Sequence, residues 1–394
     1  MSGCIAVVNA GSSSIKFALC DADSDTNVLF RGQIEAIGVA PKLHVRDAQG
    51  NTIEQRSWPT EGFDHTAATR EILTVGSSLA KGTPILGVGH RIVHGGTKYG
   101  APVRLNRQIL DELAELIPLA PLHQPHNLQP VQTILDVVPH IPQIACFDTA
   151  FHRTQETIAQ SFALPRHYTE RGVRRYGFHG LSYEYIVSRL QELDPRAAAG
   201  RAILAHLGNG ASLCAVHNGK SVASTMGFTA VDGLMMGTRC GGLDPGVILY
   251  LLQQDHLDVA GIEDLIYRKS GLLGVSGISS DMRTLRGSSD SVAREAIALF
   301  VYRIVREIGS LVAALGGIDA LVFSGGIGEN DAATRAEVVA GSAWLGAAID
   351  PQRNAKGDGL VSADTSRIPV WVIATDEERL IARRTRELVT SGAL

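Results

Sequence analysis

The 394-residue chain contains few of the features that would place it outside a cell, in a membrane or on a nucleic acid. Its five cysteines, Cys4, Cys20, Cys146, Cys214 and Cys240, are scattered, with no Cys-x-x-Cys pair among them. That excludes a disulfide framework and a cysteine zinc site as first readings, and points to reduced thiols in a reducing compartment. No apolar run approaches the ~20 residues that span a bilayer. The N-terminal apolar stretch has no basic segment before it and is cut short by Asn9 and the serines at 12–14, so it does not read as a signal peptide. The formal charge is only -4, so nothing advertises nucleic acid or an anionic membrane as a partner. The basic pairs Arg174-Arg175 and Arg383-Arg384 read as solvated faces or helix ends. What is present is 45% hydrophobic residues, ample for real cores. Domains of ~100–200 residues make two the natural expectation. A cytoplasmic protein with small-molecule partners follows.

Two segments about two hundred residues apart share a pattern. Ile5-Ala6-Val7-Val8, a turn cluster at 11–14, the alternating Ile15-Lys16-Phe17-Ala18-Leu19 and Val28-Leu29-Phe30 read as a three-strand meander. Ala202-Ile203-Leu204-Ala205, a Gly/Asn turn over 207–211, Ser212-Leu213-Cys214-Ala215-Val216, the hairpin signal Asn218-Gly219 and residues 221–224 repeat it. The repetition suggests a duplicated domain, although two meanders can also arise independently. Residues 41–62 read as a polar hairpin or surface excursion. Residues 106–117 predict a helix with Asn106 as N-cap and Ile109, Leu113, Leu116 and Ile117 on its apolar face. Buried strands are expected at 144–147, 320–323 and 370–373, an irregular stretch at 151–175, and a long helix at 290–315. Thr375-Asp376-Glu377-Glu378 matches a capping box before a basic terminal helix. Meanders followed by alternating helices and strands argue for two α/β domains with mixed sheets.

Three glycine-rich turns, at 9–14, 206–210 and 325–330, follow apolar strands, where backbone N–H groups can approach phosphate oxygens. Any one alone is more often only a tight turn; three together favour a nucleotide held between domains. None fits a P-loop or a dinucleotide fingerprint. Lys16 could reach a terminal phosphate as a point charge. Arg91 and Arg239, both flanked by glycines, suit a planar carboxylate or phosphate, or alternatively structural ion pairs. Asp148, at a strand terminus, could serve a metal, position another group or cap a helix. His179 could donate to a phosphoryl oxygen or be a satisfied structural group. His123-x-x-His126 has a ligand-like interval, but Pro125 interrupts it and no cysteine pair lies near.

Together these residues resemble the acetate kinase family across essentially the whole chain. The resemblance rests on Val8-Asn9-Ala10-Gly11-Ser12-Ser13-Ser14-Ile15-Lys16, Gly89-His90-Arg91-Ile92-Val93-His94-Gly95-Gly96 and Phe147-Asp148-Thr149-Ala150-Phe151-His152. It continues through Arg175-Tyr176-Gly177-Phe178-His179-Gly180, His206-Leu207-Gly208-Asn209-Gly210, Met236-Gly237-Thr238-Arg239, Gly326-Ile327-Gly328-Glu329-Asn330 and Thr375-x-Glu377-Glu378. It implies an α/β, two-domain actin-like, ribonuclease H-like fold around a cleft. The N-terminal domain would span 1–149 plus a returning helix at 376–394, and the nucleotide-binding domain 150–375. It also implies Mg²⁺ or Mn²⁺, ATP and ADP, a homodimer, and reversible phosphoryl transfer from ATP to acetate. By position, Asn9 and Glu377 match the residues that support the metal. Lys16, the segment 206–210, Asp281-Met282-Arg283 and the segment 326–330 match nucleotide-binding positions. Arg91 and Arg239 match the pair that holds the carboxylate and steadies the transition state. His179 matches the histidine that stabilises the moving phosphoryl group, and Asp148 the essential aspartate.

Carboxylic acids titrate near ~4, so a carboxylate substrate needs no base at neutral pH. Asp148 is therefore expected to orient Arg91 or the hydrated metal. The chain departs from the family at Ala230, where proline usually follows Gly-Phe-Thr. The resemblance places Ala230 with Val93, Leu122 and Phe178 in the pocket for the substrate's methyl group, where its small side chain could leave room for propionate. The alternatives are a propionate or butyrate kinase, an actin-like or chaperone-like ATPase, and a sugar kinase of the same fold.

Overall fold

The computed structural model describes residues 3–23 and 27–391. The chain divides into two compact units, one of residues 1–150 with 376–394 and the other of residues 151–375.

In the first unit the meander forms as β1 (Cys4–Ala10), β2 (Ile15–Asp21) and β3 (Val28–Glu35), all antiparallel. The turn expected before Val28 lies partly outside the described residues. The polar excursion is a hairpin, β4 (Lys42–Asp47) and β5 (Thr52–Ser57), that extends the same sheet. β5 is the edge, and Glu54 and Arg56 on it discourage pairing with another chain. β6 (Ile85–Ile92) runs parallel to β1, and β8 (Gln143–Phe147) runs parallel to β6. The two-residue β7 (Val103–Arg104) closes the order β5-β4-β3-β2-β1-β6-β8-β7. Phe17, Leu19, Phe30, Ile34, Leu43 and Val45 alternate onto one face. They pack there against Ala68, Ile72 and Val75 of the helix His65–Leu79, whose N-cap is Asp64.

The second unit repeats the arrangement. β9 (Arg201–Leu207), β10 (Ala211–His217) and β11 (Lys220–Ser224) form the meander. Asn218 and Gly219 make its tight turn with φ of 49° and 72°, the left-handed pair that such a hairpin needs. β12 (Ala320–Ser324) lies parallel to β9, β14 (Val370–Val372) parallel to β12, and β13 (Gly359–Leu360) closes the edge. The order β11-β10-β9-β12-β14-β13 matches β3-β2-β1-β6-β8-β7 strand for strand. The helix Ser291–Leu315 starts at Asp290, whose carboxylate accepts from Val292 N, and stops at Gly316, φ 69°.

Several local expectations are corrected. The last helix, Glu377–Thr390, is capped by Asp376 and not by Thr375: the Asp376 carboxylate accepts from Arg379 N at 3.0 Å. In the helix Arg107–Ala114, Asn106 is the cap and Leu113 is buried as expected, with Ile109 and Leu116 half-buried against the same core; Leu110 joins Leu113 in full burial, and the helix ends before Leu116 and Ile117. Residues 325–330 form a short helix, not an open turn. The irregular stretch 151–175 holds the short helices Thr157–Gln160 and Arg166–Glu170.

The helix Glu377–Thr390 lies directly on β6. A Cβ at Gly89 would sit 2.3 Å from Thr385 Oγ1 and 2.5 Å from Ile381 Cγ2, so only glycine permits this approach. That contact brings Glu377 to the end of β6, beside Arg91. No helix among the described residues is long and apolar enough to cross a membrane.

Candidate active site

In open α/β sheets ligands gather at the carboxyl ends of parallel strands. Each unit carries its candidate groups there. In the first unit Asn9 lies near the end of β1, Arg91 near the end of β6, and Asp148 directly after β8. The Arg91 guanidinium clamps Asp148: Nε donates to Oδ1 at 3.0 Å and Oδ2 at 3.1 Å, and Nη2 to Oδ2 at 2.6 Å. Nη1 reaches Asn9 Oδ1 at 3.4 Å, and Glu377 Oε2 lies 3.6 Å from Nε. Asp148 is 2% exposed. Burial alone would ease the proton off Arg91, but Asp148 and Glu377 more than reverse it, so the guanidinium holds its proton more tightly than usual.

The neighbouring loop is pinned from below. Val93 N donates to Asn127 Oδ1 at 2.8 Å, and Asn127 Nδ2 donates to Ala10 O at 2.6 Å. Val93 is buried and Leu122 half-buried. Lys16 is exposed on β2 of the first unit, in a groove of about 1000 Å³ shared with Arg31, His44, Arg46 and Glu378. Sequence reading missed Arg31, which holds the start of the last helix through Asp376 (2.5 Å) and Glu378 (3.1 Å).

In the second unit a cleft of about 700 Å³ is lined by Gly208, Asn209, Asp281, Met282, Arg283, Gly326, Ile327 and Asn330, all among the residues expected to meet a nucleotide. Ser280, Arg286 and Asp331 also line it and were not anticipated. The two glycine segments abut: a Cβ on Gly208 would lie 3.8 Å from Gly326 N. Gly325, φ 77°, lets the chain pass Leu207, whose carbonyl oxygen would be 2.7 Å from an added Cβ. Other expected residues do not line the cleft. Leu207 is fully buried. Glu329 is engaged with backbone, its Oε1 accepting from Gly325 N at 2.9 Å and Thr375 N at 3.1 Å. Gly328 is buried, and its carbonyl accepts from Nη1 of the buried Arg335 at 2.8 Å, a cation at the end of a short helix. Asp281 caps the helix Met282–Arg286, and the Arg283 guanidinium holds its carboxyl down to about 2. Arg286 bridges Glu337 (2.7 Å) and Asp331 (3.2 Å) at the cleft wall.

A second cluster lies around Gly210. A Cβ there would be 3.3 Å from His179 Nε2 and 3.7 Å from Arg239 Nη1, so this glycine seats both groups. His179 has φ 58°, left-handed and strained for a non-glycine residue, and starts the helix Gly180–Leu193. Its ring stacks on His206 at 4.3 Å, and its Nδ1 lies 2.9 Å from Ser212 Oγ. Arg239 Nη1 donates to Ala230 O at 3.0 Å. Gly237 leaves room for Asn209, whose Oδ1 would be 1.9 Å from a Cβ at 237. Phe178 is buried, and its carbonyl accepts from His152 Nε2 at 2.9 Å. His152 was not singled out from the sequence; its only signal there was its place in Phe147-Asp148-Thr149-Ala150-Phe151-His152.

Asn9, Asp148 and Glu377 offer the hard oxygens that magnesium prefers. Three of Asp148's contacts and the near approaches of Asn9 and Glu377 already go to Arg91, and among the described residues no group of three or more His, Cys, Asp or Glu could hold a metal. This donor set fits an ion that keeps its waters and arrives on nucleotide phosphates, not one caged by protein.

Comparison with known proteins agrees with the signatures. The acetokinase family profile matches residues 4–383. The acetate kinase of Rhodopseudomonas palustris is 50% identical over 398 aligned positions that cover both chains in full. The crystal structure of Porphyromonas gingivalis acetate kinase superposes with a TM-score of 0.89 at 38% identity, covering 98% of this chain and 100% of that one. A propionate kinase structure from Francisella tularensis gives 0.90 at 34% identity, covering 98% and 99%. With the doubled sheet order these likenesses identify an actin-like kinase fold, and the chain belongs to the acetokinase family.

Proposed function

We propose that this protein is an acetate kinase, moving the γ-phosphoryl group of ATP directly onto acetate to give acetyl phosphate and ADP, and running in reverse to make ATP. The observation that carries this reading is the Arg91–Asp148 clamp. Asp148 is engaged by the guanidinium through both oxygens, so it is poorly placed to take a proton from a neutral hydroxyl. A carboxylate acceptor needs no such base, which favours acetate over a sugar. A hydrolase would need a group to place water; here the groups at hand are arginines and a histidine donor.

The difficulty in this reaction is repulsion between an anionic nucleophile and an anionic γ-phosphate. Phosphoryl transfer is catalysed mainly by positioning and charge stabilisation. Arg91 would hold the carboxylate. Arg239 and His179, seated together over Gly210, would meet the equatorial oxygens of the moving group. The cleft at Gly208, Asp281 and Gly326 would take the nucleotide. Asn9 and Glu377 would support magnesium bound to ATP; when present, the ion neutralises phosphate charge. Lys16 would meet the nucleotide's terminal phosphate as a point charge.

Val93, Leu122, Phe178 and Ala230 are proposed to surround the methyl group. The likeness to a propionate kinase and the small side chain of Ala230 favour propionate as a second substrate. The helix Pro245–Gln253 buries none of its residues and exposes Leu249 and Tyr250 by 56% and 58%. We assign that apolar face to a second copy of the chain in a homodimer, and the protein to the cytoplasm. A hydroxamate assay with ATP, Mg²⁺ and a panel of short acids tests the function: acyl phosphate formed fastest from acetate is expected, and ADP release independent of any acid would overturn the proposal.

A further inference from the structure

The second unit holds a buried hydroxyl relay behind His179. Tyr183 and Ser212 are each 0% exposed. The Tyr183 hydroxyl lies 2.5 Å from Ser212 Oγ, and Ser212 Oγ lies 2.9 Å from His179 Nδ1. Proton counting fixes the direction of this chain. A phenol buried away from water must donate its hydrogen. Among the described residues the acceptor within reach is Ser212 Oγ. Backbone at His206 also meets the phenolic oxygen, and it does so as a donor. Ser212 Oγ therefore receives the Tyr183 hydrogen. A serine hydroxyl has one hydrogen of its own, and its second neighbour is His179 Nδ1. That hydrogen goes to the imidazole, so Nδ1 is the accepting nitrogen of a neutral ring.

We infer that Tyr183 and Ser212 act as positioning residues that hold His179 in the Nε2–H tautomer, so that the nitrogen above Gly210 is a hydrogen-bond donor. The inference rests on the proposed phosphoryl transfer for its purpose, not for its geometry. Nε2 is the ring atom nearest the place of a Gly210 Cβ, beside the Arg239 guanidinium. A donor there can meet a phosphoryl oxygen; the other tautomer would present a lone pair to an anion and repel it. Two further features keep the ring from turning over. It stacks on His206 with an interplanar angle of 28°, and the strained backbone at His179 sets the direction of its Cβ. Burial raises the Tyr183 phenol well above its ordinary value, so the hydroxyl keeps the hydrogen that starts the relay. The arrangement follows from sequence spacing. Tyr183 lies one helical turn after His179 on the same helix face, and Ser212 sits opposite His206 in the β9–β10 register.

The test is nitrogen NMR of the full-length protein labelled in histidine, with the His179 signals identified by their loss in His179→Gln. A pyridine-type Nδ1 and a pyrrole-type Nε2 are expected at neutral pH. A pyrrole-type Nδ1 in the unmodified protein would overturn the inference. Ser212→Ala should shift the signals toward the other tautomer. It should also lower kcat, by up to about a hundred- to a thousand-fold, the scale of losing one transition-state donor outright, with little change in KM for acetate. Ser212→Thr, which keeps the hydroxyl, should restore both. Tyr183→Phe, a milder change, should leave the tautomer less biased with a smaller fall in kcat. Unchanged signals and unchanged kcat in Ser212→Ala would sink the relay. Absence of acyl phosphate formation by the unmodified protein would instead remove the proposed function while leaving the tautomer measurement valid.

Discussion

If Asp148 works by holding Arg91, the two residues should fail together. The guanidinium has three contacts with that carboxylate within 3.1 Å, and the carboxylate is 2% exposed. Removing one member of a buried, hydrogen-bonded ion pair costs roughly 3–5 kcal/mol. Expressed wholly in the transition state, that is roughly a hundred- to several-thousand-fold in kcat. Arg91→Ala and Asp148→Ala should each approach this range. The informative measurement is the double variant in the hydroxamate assay. Because Asp148 acts through Arg91, the pair should be no slower than Arg91→Ala alone, giving a coupling energy about as large as the Asp148 effect itself. Glu377, 3.6 Å from Arg91, leaves the guanidinium a partial partner in Asp148→Ala, so that variant should fold. Losses that simply multiply would refute the argument and give Asp148 independent chemistry.

Gly210→Ala should lower kcat by at least roughly ten-fold, the cost of misplacing a transition-state donor, because its Cβ would crowd His179 Nε2 at 3.3 Å; full activity would show that the pair is not seated there. His90, His94 and His152 are buried and, chiefly through desolvation, pushed down to about 4 from 6.5. They are neutral in the folded protein, so their contribution is complete above about pH 6.5 and is lost as pH falls toward 4. Each amounts to at most about 3 kcal/mol. Urea melts at pH 7.5 and 5 should differ by several kcal/mol, less so in His90→Gln; equal midpoints would contradict this. Ala230→Pro keeps the carbonyl that accepts from Arg239 and should raise the acetate-to-propionate ratio of kcat/KM by up to roughly ten-fold. An unchanged ratio would move the methyl pocket elsewhere.

The doubled meander was legible because alternation and turn chemistry are local, and Asn218-Gly219 announces its hairpin in two residues. Arg91 and Asp148 were legible as candidates, each by its position among glycines or at a strand end. Their pairing was anticipated in outline, since a carboxylate acceptor leaves Asp148 to orient Arg91 or a metal, but the two-oxygen geometry of the clamp was not, because it joins residues 57 apart across two strands. Arg31 and Asp376, 345 positions apart, meet only because the chain returns to its first unit. The contacts of Glu329 were hidden for a related reason: it lies in a glycine-rich motif, and folding turns one of its carboxylate oxygens back onto two backbone amides. Asp376 displaced Thr375 as the helix cap because its own carboxylate reaches Arg379 N. Side chains that satisfy the backbone and those that face a substrate have the same residue types, and only their surroundings separate them.

The helix Glu377–Thr390 belongs to the first unit yet is the last of the described elements to leave the ribosome. The second unit is continuous in sequence and can finish folding as it emerges. The first must wait with β6 uncovered at Gly87 and Gly89 and with Arg91 lacking Glu377. A nascent chain stalled with residues 151–375 outside the ribosome but the segment 377–390 still inside should therefore hold a formed cleft at Gly208 and Gly326 while Arg91 still lacks Glu377.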